Sequence, residues 1–468
     1  MKITFHGAAR DVTGSQHLLE INGHKLLLDC GLYQGGWQES YEINSHFHYE
    51  PSELGAVLLS HAHIDHSGNL PRLVNQGYEG PIHTTFVTAH LAEVMLKDSA
   101  SIQEAESESI NKGSKSSGDD SQEQTSIRPL YTTADARQAI QQMKGTPYQH
   151  TFEPIPGVQA RFVEAGHILG SASIILDIEE KGRKLRLWFS GDIGRPLLPL
   201  VRDPVLPEKA DTLLMESTYG DMNHPSPEQA YAELRQALLK TFERNGKVII
   251  PAFAVGRTQE LVYKLNEMIE AGDLPKVPVF VDSPLAINVS DIFSEHPKYF
   301  DEEAREFMGN GNDPLGFKLL TYTSSVEESK AIDNLDGPVV IIASSGMAEG
   351  GRVLHHLAHN IGDPRNTVLI VSYQAPNTLG RQLAEGASRV RIFGDNFQRQ
   401  ADVVNIRGFS AHAGQDDLVE YAKASKDTLK EVYLVHGEEQ AAESLRSKLK
   451  QAGLKKVVYP YLRQTIEI

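Results

Sequence analysis

The stretch His61-Ala62-His63-Ile64-Asp65-His66 places three imidazoles and one carboxylate within six residues. It directly follows the apolar run Ala56-Val57-Leu58-Leu59-Ser60, which predicts a buried strand that delivers these side chains into a loop. Imidazole nitrogens and carboxylate oxygens both bind zinc, and one ion cannot take all four donors without strain. The segment therefore predicts two neighbouring metal ions. The alternative is a histidine-rich surface loop that holds no metal.

Three further candidate ligands stand where apolar runs end. His167 lies between Gly166 and Gly170, which let the backbone turn sharply, while Asp192 and His436 each close a run typical of a buried strand. Any one of them alone would be read as a structural residue. Their shared position at strand ends points instead to metal ligation, with Asp192 able to bridge two cations.

Other motifs accompany these ligands in a fixed order along the chain. They are Asp29 in Leu26-Leu27-Leu28-Asp29-Cys30-Gly31, Glu216 in Leu214-Met215-Glu216-Ser217-Thr218-Tyr219-Gly220, the segment 251–260, His412 in Phe409-Ser410-Ala411-His412-Ala413-Gly414, and Val435-His436-Gly437. Together with the histidine-rich stretch, this set resembles the metallo-β-lactamase superfamily, and within it the β-CASP nucleases that process RNA ends. The resemblance covers essentially the whole chain. It is strongest to bacterial relatives of the cleavage and polyadenylation endonuclease subunit.

Strand and helix patterns alternate along the 468 residues, and this length exceeds what one hydrophobic core usually serves. The sequence therefore predicts an α/β protein with two domains. The resemblance implies a metallo-β-lactamase αββα sandwich, built from residues 1–215 and 406–468. Residues 216–405 are then an inserted α/β β-CASP domain.

The resemblance also implies a role for each motif residue. It implies two Zn²⁺, with Mn²⁺ or iron as alternatives, held by His61, His63, Asp65, His66, His167, Asp192 and His436. Asp29 is expected to orient the ligand loop, so we count it, with Asp65, among the catalytic residues. His412, oriented or kept cationic by Glu216, is the candidate general acid that protonates the leaving 3′ oxygen.

Candidate substrate-binding residues lie at turns rich in glycine and serine. Arg257 stands where a strand yields to a helix, so that backbone N–H groups and its guanidinium could hold a phosphate. The same interpretation is extended to Ser345, Gly346, Thr378, Arg381, Ser410 and Ala411. The turns at Arg257, at Ser345-Gly346 and at Thr378–Arg381 could each equally be a helix cap or an ordinary turn. His355, His356 and His359 share a helical segment and are assigned surface or packing roles.

The net charge of −17 argues against a broad basic surface. Affinity for single-stranded RNA must then come from a local groove and the metal pair. A DNA nuclease, a small-molecule ester or thioester hydrolase, and a non-catalytic RNA-binding scaffold remain alternatives, because a dinuclear site does not name its substrate. The choice between endonuclease and 5′–3′ exonuclease stays open.

Several cellular properties follow from the composition. No run of about 18 apolar residues occurs and no leader pattern begins the chain, which predicts a cytoplasmic protein without a membrane partner. The one cysteine, Cys30, excludes an internal disulfide. Residues 99–126 are rich in Ser, Glu, Gln and Asp, so the middle of this stretch is predicted to be a mobile surface loop. The oligomeric state, a homodimer included, cannot be read from the sequence.

Overall fold

A computed structural model describes residues 1–116, 127–375 and 377–468. These residues form two compact units. The first unit comprises Met1–Pro196, Asp203–Asn223 and His412–Ile468, and the second comprises Leu197–Arg202 and His224–Ala411.

The strands and helices follow one another along both units. The strands are β1 (Lys2–Phe5), β2 (His17–Ile21), β3 (His24–Leu28), β4 (Leu54–Leu58), β5 (Ile82–Thr85), β6 (Met143–Thr146), β7 (Thr151–Ile155), β8 (Val158–Glu164), β9 (Ala172–Glu180), β10 (Arg183–Phe189), β11 (Thr212–Glu216), β12 (Lys247–Pro251), β13 (Val279–Asp282), β14 (Leu320–Tyr322), β15 (Val339–Ala343), β16 (Thr367–Ile370), β17 (Arg389–Ile392), β18 (Asp395–Gln398), β19 (Asp402–Asn405), β20 (Glu431–Val435), β21 (Val457–Val458) and β22 (Thr465–Glu467). The helices are α1 (Trp37–Asn44), α2 (Ile64–Ser67), α3 (Leu70–Asn75), α4 (Phe86–Ser116), α5 (Thr133–Gln142), α6 (Pro227–Glu243), α7 (Arg257–Glu270), α8 (Pro284–Glu295), α9 (Glu302–Gly309), α10 (Val326–Asp333), α11 (Val353–Asn360), α12 (Leu379–Ala384), α13 (Gln415–Lys423) and α14 (Glu439–Gln451). Short 3₁₀ turns occur at Pro51–Glu53, Pro297–Tyr299 and Arg407–Phe409.

Two seven-stranded sheets form the centre of the first unit. Their strand orders are β22-β1-β2-β3-β4-β5-β6 and β21-β20-β11-β10-β9-β8-β7. One core cluster of buried side chains draws from both sheets, for example Leu19 and Leu58 from the former and Phe162 and Leu214 from the latter. The sheets are therefore the two inner layers of a sandwich.

Strand β9 shows how the sequence pattern builds these layers. Ile174, Leu176 and Ile178 belong to the core between the sheets, whereas Ile175 packs in the cluster on the opposite face. Successive side chains of a strand point to opposite faces, so the apolar run Ile174-Ile175-Leu176 must be covered on both. Burial of each such side chain stabilises the fold by about 1.5–3 kcal/mol.

Helices α13 and α14 cover the outer face of the second sheet. Leu418 and Leu445 pack there against Trp188, in a cluster separate from the core between the sheets. The indole N–H of Trp188 donates a hydrogen bond to the hydroxyl of Tyr421 at 2.8 Å. On the first sheet, α4 contacts β5 and β6. The layer order is that of the predicted αββα sandwich.

Parallel strand pairs bring several carboxyl ends to one edge of each sheet. Strand β3 runs parallel to β4, and β10, β11 and β20 run parallel to one another. In the paired registers, Leu28 lies opposite Leu58, and Glu216 opposite Val435. The residues that directly follow these strands are consequently neighbours in space although they are far apart in sequence.

The second unit is built on a parallel sheet of six strands in the order β14-β13-β15-β12-β16-β19. Every residue of β15, Val339–Ala343, is buried, as expected for a strand with helices on both faces. Leu357 of α11 and Leu383 of α12 pack with Ile249 and Val368 on one face. The hairpin of β17 and β18 completes the unit.

The structure corrects the prediction for residues 99–126. The loop was predicted for the middle of this stretch, but helix α4 continues to Ser116, so the middle is helical up to that residue. Long Glu, Gln and Lys side chains favour exposed helix as well as loop, which explains the error. Residues 117–126 lie outside the described part of the chain.

Within the described residues, no helix combines the length and the apolar character needed to cross a bilayer.

We expect Gly31→Ala to destabilise the first unit. A methyl group at position 31 would lie 1.7 Å from the backbone oxygen of Asp65 and 2.8 Å from the backbone nitrogen of His66. Because backbone cannot yield as a flexible side chain does, we expect a loss of at least about 2 kcal/mol in urea unfolding. Gly36→Ala is the matched control, since a methyl group there meets no atom within 4 Å. Equal unfolding midpoints for the two variants would contradict this packing.

Candidate metal centre

Four side chains of the first unit converge as a first ligand group: His61, His63, His167 and Asp192. Nε2 of His61 lies 3.1 Å from Nδ1 of His63, and Nε2 of His167 lies 3.2 Å from the same atom. Oδ2 of Asp192 lies 3.4 Å from Nε2 of His61 and 3.5 Å from Nε2 of His167. The four donor atoms all lie within 4.8 Å of one another.

A second ligand group lies beside the first and consists of Asp65, His66 and His436, with Asp192 at its border. Nε2 of His66 lies 3.2 Å from Nε2 of His436, and the latter lies 3.4 Å from Oδ2 of Asp65. Oδ1 of Asp192 lies 3.2 Å from Nε2 of His66. One carboxylate oxygen of Asp192 thus faces each group.

The spacing of these atoms fits tetrahedral zinc. Zinc–nitrogen distances of about 2.0–2.1 Å at the tetrahedral angle place two ligand atoms about 3.3 Å apart. The separations of 3.1–3.5 Å within both groups bracket that value. Oδ1 of Asp192 is also buried without a hydrogen bond, although carboxylate oxygens in protein interiors normally accept one. The donor set and its spacing therefore suit a pair of divalent cations.

Burial keeps the first group in the protonation state that metals require. It lowers the pKa of His61 to about 3 and that of His63 to about 4, so both imidazoles are neutral at physiological pH. Burial acts in the opposite sense on Asp192, but the surrounding imidazoles hold the pKa of its carboxyl well below the usual range. Neutral imidazole and ionised carboxylate are the ligating forms.

Asp29 and Ser60 fix the tautomers of two ligand histidines. Asp29 accepts hydrogen bonds from the backbone N–H and the hydroxyl of Ser60, at 2.8 and 3.0 Å, and its Oδ2 lies 2.7 Å from Nδ1 of His66. Nδ1 of His66 must therefore carry the proton. The Ser60 hydroxyl has donated its only hydrogen, so at 3.0 Å it accepts from Nδ1 of His61. In the neutral form that binds metal, Nε2 is the unprotonated nitrogen of both rings. Without a metal, burial opposes a charge on His66, but Asp192 and Asp29 raise the pKa of its imidazole.

Thr218 acts on His436 in the same way. Its hydroxyl donates to the backbone oxygen of His436 at 3.0 Å, and it lies 3.1 Å from Nδ1 of the same residue. Since a hydroxyl has one hydrogen, the second contact requires Nδ1–H of His436 to be the donor. Nε2 of His436 is then the metal-facing atom, directed at Asp65 and His66.

His412 and Glu216 form a pair beside the first ligand group. Nδ1 of His412 lies 3.0 Å from Oε1 of Glu216, which is itself held by the backbone N–H of Ile193 at 2.6 Å. Burial opposes a charge on His412, but Glu216 raises the pKa of the imidazole to about 9. Nε2 of His412 lies 4.0 Å from Oδ2 of Asp192, whereas Nε2 of His61 and of His167 lie 3.4 and 3.5 Å from the same oxygen.

The seven predicted substrate-binding residues all lie in the second unit. They follow the carboxyl ends of β12, β15, β16 and β19 at one edge of the parallel sheet, the usual position of ligand sites in such sheets. Arg257, Ser345, Gly346, Thr378, Arg381, Ser410 and Ala411 make up this set.

Contacts within the second unit bring some of these residues together. The amide of Gln374 donates to the backbone oxygen of Gly346 at 2.9 Å, which joins the turn after β15 to the segment that leads to Thr378. Thr378 caps α12 by accepting from the backbone N–H of Arg381. Arg257 is buried and ion-paired with Glu260, so its guanidinium already has a carboxylate partner.

Sequence reasoning missed Ser60, Thr218 and the environment of His356. Ser60 immediately precedes His61, and Thr218 lies two residues after Glu216, so proximity to the motifs was the available signal. The sequence predicted only a surface or packing role for His356, and the structure adds two carboxylate partners. Its ring lies between Asp282 at 2.7 Å and Asp333 at 2.9 Å, from β13 and α10.

Comparisons with known proteins agree with this architecture. The family model for the metallo-beta-lactamase superfamily matches residues 9–252, that for the Beta-Casp domain residues 258–383, and that for the Zn-dependent metallo-hydrolase RNA specificity domain residues 397–460. Ribonuclease TTHA0252 of Thermus thermophilus is 36% identical over 453 residues, which is 97% of each chain.

More distant relatives extend the comparison. Transcription termination factor FttA of Methanocaldococcus jannaschii is 30% identical over 94% of this chain and 67% of its own length, and that of Pyrococcus abyssi is 31% identical over 96% and 68%. A solved structure of a protein of unknown function from Enterococcus faecalis V583 covers 99% of both chains with a TM-score of 0.54 at 13% identity, which supports the fold alone.

A metal-binding sandwich that carries an inserted parallel-sheet unit defines a class of metallo-hydrolases. This chain belongs to the metallo-β-lactamase superfamily, in the branch that carries the β-CASP and RNA specificity domains. The family and the fold class predicted from the motif order are confirmed. Metal binding by the chain is likewise supported by its family and by the two ligand groups.

We expect Thr218→Val to weaken zinc binding at the second ligand group by about 10–100-fold, the usual effect of removing a partner that orients a metal ligand. Valine preserves the shape of threonine but cannot accept from Nδ1 of His436. Thr218→Ser keeps the hydroxyl and should restore most of the affinity. Competition with a chromophoric zinc chelator would measure both variants. Equal affinities for the valine and serine variants would rule out this role.

Proposed function

We propose that His61, His63, His167 and Asp192 hold one Zn²⁺ and that Asp65, His66, His436 and Asp192 hold a second. Mn²⁺ or iron are the alternative occupants. The observation that carries the proposal is the orientation of Asp192, whose two oxygens face two separate histidine groups at 3.2–3.5 Å. A buried carboxylate placed in this way has the geometry of a bridging ligand.

The chain is a metal-dependent hydrolase that acts on RNA. An RNA specificity domain covers residues 397–460, and a relative 36% identical over nearly the full length is named a ribonuclease. The scaffold alternative requires decayed ligands, whereas all seven ligand positions are filled. We propose that the substrate is single-stranded RNA and that the bond hydrolysed is the phosphodiester.

The charge of the centre suits this substrate. Two divalent cations against the carboxylates of Asp65 and Asp192 leave two positive charges, because neutral imidazoles add none. When bound, such cations lower the pKa of water toward neutrality and neutralise charge on a phosphate. A chain with a net charge of −17 thereby attracts a polyanion at one point rather than over its surface.

The protein residues around the ligands supply positioning and a proton. His412 in its cationic form carries hydrogen on both ring nitrogens, with Nδ1–H directed to Glu216. Its Nε2–H then faces the first ligand group, where Nε2 lies 4.0 Å from Oδ2 of Asp192. As a water molecule adds to phosphorus and loses a proton to solvent, the bond between phosphorus and the 3′ oxygen breaks. The proton of His412 then passes to the leaving oxygen, and Glu216 holds the ring in place. Asp29 keeps the ligand loop in position through Ser60 and His66.

Residues 216–405, as the β-CASP domain, are proposed to contact the RNA strand. The support is the position of Arg257, Ser345, Gly346, Thr378 and Arg381 at the carboxyl edge of a parallel sheet. Ser410 and Ala411, which directly precede His412 in sequence, are proposed to contact the strand as well. Arg381 is partly exposed and paired with Glu385 at 2.6 Å, an ion pair that a phosphate could displace.

His63→Ala and Asp192→Ala are expected to abolish RNA cleavage and to lower metal content, because each removes a ligand. His412→Ala should retain the metal and slow the bond-breaking step by about 10²–10⁴-fold, the usual contribution of a general acid. Metal analysis of each purified variant, with single-turnover cleavage of labelled RNA, separates the two roles. His359→Ala, an exposed histidine on α11, is the control that should change neither quantity. Loss of metal from His412→Ala would overturn its assignment as the acid.

Cleavage of matched RNA substrates tests the function itself. We expect about two zinc ions per chain and hydrolysis of a labelled single-stranded RNA, with no cleavage after chelation. Comparing 5′-phosphorylated, 5′-hydroxyl and circular forms of one RNA distinguishes internal cutting from 5′–3′ trimming, since only an endonuclease opens the circle. Metal-free protein that binds RNA without cutting it would favour the scaffold. Hydrolysis of small esters or thioesters with inert RNA would favour a small-molecule hydrolase, and cleavage of DNA alone a DNA nuclease.

A further inference from the structure

A loop near the amino terminus is fastened directly to the second ligand group. The backbone N–H of His436 donates to the oxygen of Ala8 at 2.8 Å, and that of Gly437 donates to the oxygen of Asp11 at 3.0 Å. On the other side of the loop, the N–H of Ser15 donates to the backbone oxygen of Asp65 at 2.8 Å. We call residues 8–15 the anchored loop, because it holds the backbone of two proposed ligands.

Hydrogen bonds within the anchored loop hold its backbone. The carboxylate of Asp11 accepts from the backbone N–H groups of Val12 and Thr13 at 2.7 and 3.1 Å. Ala8 and Arg10 have φ angles of 45° and 65°, in the left-handed region that residues with a Cβ rarely adopt. Surrounding structure must hold such a conformation, and it fixes the direction of the Arg10 side chain.

Arg10 lies between two tyrosine rings. Its guanidinium carbon is 3.7 Å from the ring centroid of Tyr461 and 4.8 Å from that of Tyr459. Nη1 of Arg10 contacts Glu439 at 3.1 Å, while its Nε is buried without a hydrogen-bond partner. Tyr459 is buried and donates its hydroxyl hydrogen to the backbone oxygen of Gly437 at 2.8 Å.

The outer ring of this stack faces solvent. Tyr461 is 61% exposed, and the neighbouring Leu462 is 51% exposed. Single exposed apolar side chains are common on protein surfaces, so the exposed ring gains meaning only from the guanidinium packed against it. The guanidinium of Arg10 is paired with Glu439 and packs against the ring, so together they offer a flat stacking face rather than an excess positive charge.

We propose that Tyr461, backed by Arg10, is a stacking platform for one nucleobase of the RNA strand, next to the second ligand group. The inference rests on the proposed function and deepens it by naming a contact for a base rather than for a phosphate. Aromatic rings paired with arginine are the usual means by which proteins bind single strands without reading sequence. The backbone links from the anchored loop to His436 and Gly437 set the platform beside the reacting centre.

Removing the ring should weaken RNA binding in a way that depends on a base. We expect Tyr461→Ala to raise the Kd for a short labelled single-stranded RNA by about 5-fold to about 150-fold, the range typical of one base stacked on one aromatic ring. Tyr461→Phe keeps the stacking face and should bind like the parent. Phe393→Ala removes another exposed aromatic ring, in the turn between β17 and β18, and serves as the control. All variants are compared in the His412→Ala background, where slow cleavage permits an equilibrium measurement.

A series of RNAs with a single abasic site at each position identifies the base. At one position the abasic site should weaken binding to the parent. The same abasic site should not weaken binding to Tyr461→Ala any further, because that variant already lacks the stacking contact with the missing base. If the ring served only to hold the terminal segment, no position would show this coupling, and the proposal would be overturned. Zinc content and hydrolysis of bis(p-nitrophenyl) phosphate should be unchanged in Tyr461→Ala. Cleavage of RNA by the parent enzyme tests the proposed function separately, so failure of the platform leaves that function standing.

Discussion

The carboxylate of Asp192 is the point on which the metal centre depends. One oxygen faces the imidazoles of His61 and His167 and the other faces that of His66. A carboxylate buried at 2% exposure requires compensation by positive charge, which the neutral histidines of the first group do not supply and which the metal-free site takes from His436 and His66. Two cations satisfy this requirement, and they relieve the close approach of imidazole nitrogens that face one another.

Parallel strand pairs in the two sheets of the first unit bring the residues of this centre together. Asp29, His61, Asp192, Glu216 and His436 each follow or close a strand whose carboxyl end meets that of a parallel neighbour. Ligands separated by hundreds of residues therefore meet only when β20, from the last part of the chain, joins β11. The second ligand group therefore forms only after β20 has paired with β11, because His436 directly follows that strand.

Much of this could be predicted from the sequence because the ligand chemistry is written in local patterns. Apolar runs that end in His or Asp marked the strand ends, and the change from a strand to a helix pattern at Arg257 marked the start of α7. Other features depend on contacts between distant segments. The pairing of His356 with Asp282 joins α11 to β13, and the continuation of α4 to Ser116 depends on contacts of that helix, such as Asn111 with the backbone of Ile127 at 2.8 Å. A local pattern cannot reveal such partners.

Hydroxyl groups were the least visible part of the centre. A serine or threonine fixes a histidine tautomer only when its single hydrogen is committed elsewhere, as at Ser60 and Thr218. That condition is geometric and leaves no mark in composition or spacing. Together with the carboxylate of Asp29, these two hydroxyls explain how His61, His66 and His436 present Nε2, since each of the three has its Nδ1 proton bound to a fixed acceptor.

The most direct test of the bridging carboxylate is a crystal structure of the zinc-loaded protein with anomalous diffraction recorded at the zinc edge. Two anomalous peaks are predicted, about 3.5–4 Å apart, each about 2.0–2.2 Å from a different oxygen of Asp192. A single peak, or two peaks of which one does not contact Asp192, would contradict the account.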